Sequence, residues 1–194
     1  MRYTNRFLLS VALIGVLGVS GCGGSSSNNA GSTTATSTPT ATDQTGHVAI
    51  PVSANPSKSA KMICESEVKK DLAALLGTQI TKPLTPKWVG HVYSCDYTYG
   101  NAVLTLSVKE LADTAETDAY FASLATKLGK TENIKGLGQG AFTTKNLSAV
   151  VRKDYKVLLV DISKLPAQFG TPPDTRANIA LNIAATIMGC WTGA

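Results

Sequence analysis

The residues best suited to a defined chemical step lie near the N-terminus, around Cys22. Residues 19–22 read Val-Ser-Gly-Cys. Val19 is also the last residue of an apolar run of 13 residues, Phe7–Val19, which follows Arg2 and Arg6. A basic start, a short apolar core and small residues before a cysteine are typical of a bacterial lipoprotein signal. The predicted chemistry is cleavage before Cys22 and transfer of a diacylglyceryl group to its thiol.

The length of the apolar run decides between a signal and a membrane span. A spanning helix needs about 20 apolar residues, whereas the core of a signal peptide has about 7–15. We therefore predict a cleaved signal peptide over residues 1–21, with an uncleaved short anchor as the alternative. Two acyl chains on Cys22 suffice for stable anchoring, so we expect a protein bound to the lipid membrane at the outer face of the plasma membrane.

The rest of the sequence offers no recognisable catalytic or metal-binding pattern. A zinc site needs about three protein ligands, and the chain has only two histidines, His47 and His91, and no Cys-x-x-Cys pair. The Gly-x-Ser-x-Gly motif of a serine hydrolase is absent. We expect no catalytic residues, no metal and no cofactor. The acidic pairs that a glycosidase could use are explained as helix starts, turns or solvated faces: Glu65/Glu67, Glu116/Asp118 and Asp154/Asp161.

A glycine cluster and a tyrosine-rich strand are the two features that could form a binding site. The cluster at 136–140 has the spacing Gly-x-Gly-x-Gly and precedes a strand, whereas a dinucleotide fingerprint has Gly-x-Gly-x-x-Gly before a helix. We interpret it as a tight loop with positive φ, with ligand contact as the alternative. A groove for a small apolar molecule is predicted between this loop and the strand, unless the tyrosines belong to the core. The groove residues would be Tyr93, Tyr97, Tyr99, Gly136 and Gly138.

The charge of the chain argues against nucleic acid as a partner. The net charge is +5, and loss of Arg2 and Arg6 with the signal leaves 16 basic and 13 acidic residues without a basic stripe. Nucleic acid is therefore not an expected partner.

Residues 22–57 are rich in Ser, Thr, Gly and Pro and poor in apolar side chains, which predicts a disordered spacer. An O-glycosylated stalk is the alternative. Residues 58–194 are predicted to be one globular domain.

Hydrophobic periodicity within this domain predicts the order α-β-β-α-β-β-α. Strands paired as local hairpins imply an antiparallel sheet, and helices with one apolar stripe are expected to pack on one face of it. The predicted fold is a single α+β domain built from two hairpins. The expected elements are helix 63–76, an extended or edge segment 80–89, a hairpin of 92–99 and 104–108 turning at Gly100-Asn101, helix 114–128, a loop at 134–140, a hairpin of 147–151 and 155–162 turning at Lys153-Asp154, and helix 174–188.

Several short motifs together suggest a family. Cys64 opens a helix, Cys95-Asp-Tyr lies on a strand, residues 134–142 read Ile-Lys-Gly-Leu-Gly-Gln-Gly-Ala-Phe, and Val-Val-Arg-Lys ends at 153. The chain from about 60 to 188 thereby resembles small actinobacterial cell-envelope lipoproteins of a family of unknown function. The resemblance implies an α+β fold, a location outside the cytoplasm and no catalytic residues.

The same resemblance implies a disulfide between Cys64 and Cys95. Lipidation of Cys22 leaves three cysteines, so at most one internal bridge can form. Cys95 shares a strand face with Tyr93 and Tyr97, which would direct it toward the helical layer. Cys190 departs from the family pattern and remains a competitor for the bridge, because the last helix could also bring it to the core.

The anchor, the spacer and the lack of a catalytic set predict a non-catalytic binding or accessory module of the cell envelope. Its partner would be a small apolar ligand or another envelope protein. The alternatives are an enzyme that acts on cell-wall polymers and a structural envelope protein.

Overall fold

The computed structural model describes residues 52–191. The predicted signal peptide, the lipidation site Cys22 and the predicted spacer as far as residue 51 lie outside the described residues. The α+β prediction is confirmed, with helices and an antiparallel sheet in one domain. The elements are α1 (Lys58–Met62), α2 (Ser66–Leu76), β1 (Lys87–Val89), β2 (Val92–Tyr99), β3 (Ala102–Glu110), α3 (Thr114–Leu128), β4 (Lys130–Ile134), β5 (Gly140–Thr144), β6 (Ala149–Lys153), β7 (Lys156–Lys164), β8 (Gln168–Phe169), β9 (Asp174–Thr175) and α4 (Arg176–Trp191).

The main sheet has seven antiparallel strands in the order β1-β2-β3-β7-β6-β5-β4. The two expected hairpins, β2–β3 and β6–β7, lie side by side because β3 pairs with β7, for example through Leu106 and Val160. The segment 80–89 ends in the short edge strand β1, in agreement with its predicted role. The strands β8 and β9 form a separate small sheet within the proline-rich segment before α4.

The sheet is larger than two hairpins because β4 and β5 form a further one. The expected loop at 134–140 is shortened to the residues between Ile134 and Gly140. β4 reads Lys-Thr-Glu-Asn-Ile and is almost entirely exposed at the sheet edge. Charged residues on an edge strand prevent pairing with other chains, but they also remove the alternation of apolar residues by which a strand is recognised in a sequence.

Helices cover both faces of the sheet, in contrast to the single face expected. Val151 and Leu158 pack with α1, α2 and α4, whereas Val150 and Val157 pack with Leu124 of α3. Neighbouring residues of a strand point to opposite faces, so α3 lies opposite the other helices. The physical reason is that the central strands β6 and β7 contain continuous apolar runs, which have to be covered on both sides.

The first predicted helix is divided into α1 and α2. Cys64 therefore lies in the turn between two helices rather than in a first helical turn. The carbonyl oxygen of Ile63 accepts a hydrogen bond from the hydroxyl of Tyr97 at 2.7 Å, so this backbone acceptor is used by the sheet. The break lets the turn dock on β2, and Gly77 ends α2 in the left-handed conformation (φ 58°).

Helix α3 has the predicted bounds because both of its ends carry clear signals. Asp113 accepts a hydrogen bond from the Glu116 amide (2.7 Å), and the Glu116 carboxylate accepts one from the Ala112 amide (2.8 Å). This reciprocal pair resembles a capping box, and Gly129 (φ 66°) ends the helix. Within residues 52–191, no helix combines the length and apolar character needed to cross a membrane.

Candidate functional site

The disulfide prediction is confirmed between Cys64 and Cys95. The bridge joins the α1–α2 turn to β2, and the two Cα atoms lie 6.0 Å apart. Cys190, the competing cysteine, lies buried on α4. The layer of α1 and α2 is thereby fixed covalently to the sheet.

The three tyrosines of β2 lie on the covered side of the sheet. Tyr97 is fully buried and Tyr99 is 8% exposed, with its ring edge-on to Phe169 at 5.3 Å between centroids. Burial raises the pKa of both hydroxyl groups above the ordinary value of tyrosine. Tyr93 is half-buried and packs against the same core. Tyr97 and Tyr99 thus belong to the core, the alternative that the sequence left open.

The glycine cluster forms the expected tight loop. Gly136 and Gly138 have φ of 74° and 59°, values that glycine adopts without steric cost. A Cβ atom at Gly138 would lie 2.5 Å from the Arg152 carbonyl oxygen and 2.7 Å from Val151 Cγ1. The next amide, that of Gln139, donates to the same Arg152 carbonyl oxygen at 2.8 Å. The loop is therefore docked directly on the end of β6.

The tyrosines and the glycine loop are far apart in the sheet. Three strands, β3, β7 and β6, separate β2 from β5, at whose start the loop ends. With about 4.8 Å between neighbouring strands, this is a distance of roughly 19 Å. The structure does not bring the two sets of residues together, and each has to be considered on its own.

A cavity of about 550 Å³ opens beside the glycine loop on the α3 side of the sheet. We call it the Arg152 cleft. It lies where the start of α3, Gln139 of the loop and the β6–β7 turn meet. Its lining residues all carry a polar group: Thr114, Thr117, Gln139, Arg152, Asp154 and Tyr155.

A second cavity, of about 510 Å³, lies on the opposite side, between the glycine loop and the C-terminal part of α4. We call it the α4 cleft. Arg152 and Lys153 alternate along β6 and so border different cavities, while Gln139 borders both. The lining of the α4 cleft combines three glycines with apolar side chains and two polar ones: Gly136, Gly138, Gly189, Leu137, Ala185, Met188, Gln139 and Lys153.

A hydrogen-bond network holds the wall between the two clefts. The Gln139 side-chain oxygen accepts from the Asp154 amide at 2.9 Å, and Arg152 Nη2 donates to the Gln139 carbonyl oxygen at 3.3 Å. Arg152 also forms an ion pair with Asp118 and lies over the Phe121 ring, with Cζ 5.8 Å from the ring centroid. Its buried Nε has no hydrogen-bond partner among residues 52–191. The network fixes the loop, the turn and the arginine relative to one another.

Within the described part of the chain, no three His, Cys, Asp or Glu side chains come together as a metal site. No family model, curated protein or solved structure matches this chain. Function has to be inferred from the chemistry of the two clefts.

Sequence reasoning identified the loop beside the clefts but not Arg152, Asp154 and Tyr155. The available signal was the arginine at the end of the apolar run 149–151. An arginine at the end of a buried strand has to find partners for its charge, since an unpaired buried charge is costly. Its partners come from α3 and the loop, so only the fold could identify them.

We expect Gly138→Ala to destabilise the protein far more than Gly136→Ala. Both substitutions place alanine at positive φ, at a cost of about 1–2 kcal/mol. Only alanine at 138 would also overlap the backbone of β6, which adds about 1–3 kcal/mol. Urea denaturation should therefore give a loss of about 2–5 kcal/mol for Gly138→Ala and about 1–2 kcal/mol for Gly136→Ala. Equal losses would contradict the docked loop.

Proposed function

We propose that this protein is a lipid-anchored, extracytoplasmic binding module without catalytic activity, and that the α4 cleft takes a small apolar ligand. The observation that carries the proposal is the α4 cleft itself. Its volume of about 510 Å³ lies within the roughly 300–1,000 Å³ of small-molecule sites, which combine a mainly apolar lining with a few polar groups. The cleft combines these properties in one place.

The lining determines how a ligand would be held. Leu137, Ala185 and Met188 offer apolar contacts, and methionine adapts to ligands of different shape. An apolar ligand that buries roughly 200 Å² would gain about 5 kcal/mol from apolar contact, and the loss of translational and rotational freedom on binding offsets much of this gain. Tighter binding requires polar contacts as well, and Lys153 and Gln139 provide them at the border of the cleft.

The proposed location has three supports. The sequence pattern around Cys22 is that of a lipoprotein signal, and the chain resembles envelope lipoproteins. The Cys64–Cys95 disulfide suits an oxidising compartment outside the cytoplasm. A binding module on a lipid anchor and a long spacer would present its clefts to the cell envelope.

Native mass spectrometry of the protein purified from its own host tests the ligand. We expect a non-covalent adduct on the wild-type protein and its loss in Ala185→Trp, because position 185 lines the cleft and indole would fill part of it. Asn182→Trp is the matched control, since Asn182 is an exposed residue of the same helix outside the cleft lining. Repeated wild-type preparations without bound mass, or equal adducts on both variants, would contradict the proposal.

A further inference from the structure

We propose that the Arg152 cleft is a second binding site, and that it takes an uncharged, polyhydroxylated ligand, namely a saccharide unit of a glycan. This inference goes beyond the proposed function, because it concerns a different cavity and a different ligand class. It rests on the chemistry of the lining, the balance of charge, the rigidity of the site and the position of one aromatic residue.

The lining combines a few hydrogen-bonding groups with a largely apolar surface, which is what the hydroxyls and the C–H faces of a sugar ring need. Thr117 is buried and its hydroxyl already donates to the Asp113 carbonyl oxygen at 2.6 Å, so a ligand would meet chiefly the side chains of Thr114, Asp154 and Tyr155. A purely apolar ligand would remove these polar groups from water without replacing their hydrogen bonds, which is unfavourable. A sugar hydroxyl both donates and accepts, and so can pair with donors such as Arg152 and with acceptors such as Asp154.

The charge balance favours a neutral ligand. The Arg152 guanidinium is already paired with Asp118, so it does not offer a free positive charge to a phosphate or carboxylate. Asp154 adds a carboxylate to the lining, which would repel an anion. A polyhydroxylated molecule without charge is therefore favoured over an anion.

The polar groups are held in place before any ligand arrives. Arg152 is fixed by Asp118, by the Gln139 carbonyl oxygen and by the Phe121 ring. The Gln139 side chain is fixed by the Asp154 amide. Ligand binding to such a site therefore costs little side-chain ordering, which favours affinity.

Tyr155 extends the site toward a second cavity. It borders both the Arg152 cleft and a neighbouring cavity of about 190 Å³ that is also lined by Glu110, Ser57 and Lys156. The C–H face of a pyranose ring packs well on an aromatic ring, while its hydroxyls reach flanking polar groups. The buried Glu110 carboxylate accepts a hydrogen bond from the Ser57 amide at 3.1 Å, which holds this second wall. Two adjoining cavities that share Tyr155 fit consecutive units of an oligosaccharide.

Isothermal titration of the full-length protein in detergent tests the inference with three tetrasaccharide probes. The probes are a neutral hexose oligomer, an N-acetylated hexosamine oligomer and an oligogalacturonate as the anionic counterpart. We expect at least one neutral probe to bind at least tenfold more tightly than the anionic one. No binding of either neutral probe at 10 mM (roughly the limit of useful weak affinity), or tighter binding of the anionic probe, would overturn the inference.

Variants locate the binding. Tyr155→Ala should weaken the neutral probe at least tenfold, whereas Tyr155→Phe should stay within about threefold because it keeps the ring. Thr114→Trp should block the cleft from the first residue of α3, and Thr126→Trp is its matched control at an exposed position on the same helix. If Thr114→Trp binds as well as Thr126→Trp, the site is not the Arg152 cleft. Ala185→Trp should bind the saccharide normally, since it alters only the α4 cleft.

Discussion

Replacing both bridge cysteines, as Cys64→Ala with Cys95→Ala, should lower the free energy of unfolding by about 3–4 kcal/mol. The bridge closes a loop with a sequence separation of 31, and the chain-entropy model assigns this loop length a stabilisation of about 3–4 kcal/mol. A domain of this size typically has about 5–15 kcal/mol of stability in total. The double variant should therefore unfold at a much lower urea concentration than the wild-type protein.

Cys190→Ala provides the matched control, because it also removes a buried thiol but cuts no predicted bridge. Deleting one buried sulfur resembles the loss of a small apolar group, so its cost should be about 1 kcal/mol. Urea denaturation of both variants, followed by circular dichroism, measures the difference. A non-reducing peptide map that joins Cys190 to Cys64 or Cys95 would contradict the assigned bridge, as would equal losses of stability.

The parts of the fold that were predictable from sequence carry their signals locally. Helix α3 is bounded by Asp113 and Gly129. The Asp113 side chain accepts a hydrogen bond from an amide of the first turn, and Gly129 adopts the left-handed conformation that ends the helix. The turn Gly100-Asn101 was also predictable, because a glycine with positive φ was needed between two alternating strands. Such elements require no knowledge of distant residues.

The parts that were not predictable depend on tertiary context. Helix α1 ends at Met62, and the carbonyl oxygen of the next residue, Ile63, accepts a hydrogen bond from Tyr97, 34 positions after Ile63. The position of α3 opposite the other helices follows from the two-sided burial of β6 and β7. A periodic apolar stripe identifies a helix, but it does not say which face of the sheet the stripe will cover.

The candidate site illustrates the same limit. The tight glycine loop was correctly predicted from its composition, and it borders a cavity. The tyrosines of β2 would have reached this loop only if the two hairpins had been arranged differently. Because β7 pairs with β3, the strands β7 and β6 lie between β3 and the loop-bearing β5. The Arg152 cleft combines residues from 114 to 155, so no single segment of the sequence contains its pattern.

The second large effect concerns the N-terminus, where Cys22→Ala should abolish lipidation altogether. Only a thiol at this position can take the diacylglyceryl group, and the residues before it form the predicted cleavage site. Each buried methylene of the acyl chains contributes about 0.8 kcal/mol to membrane binding, so loss of the chains removes the proposed anchor. The signal should then also fail to be processed normally, and the protein should migrate as a larger precursor.

Metabolic labelling with a fatty-acid analogue measures this loss directly. Labelling is preferred over fractionation, because an uncleaved apolar run at 7–19 could itself keep the precursor at the membrane. Cys190→Ala is the control, since it exchanges the same residue types and should leave both labelling and processing unchanged. Label that persists on the Cys22→Ala protein would show that another residue carries the lipid. In that case the proposed location at the outer face of the membrane would lose its main support. The two clefts would remain candidates for binding, because they lie entirely within residues 52–191.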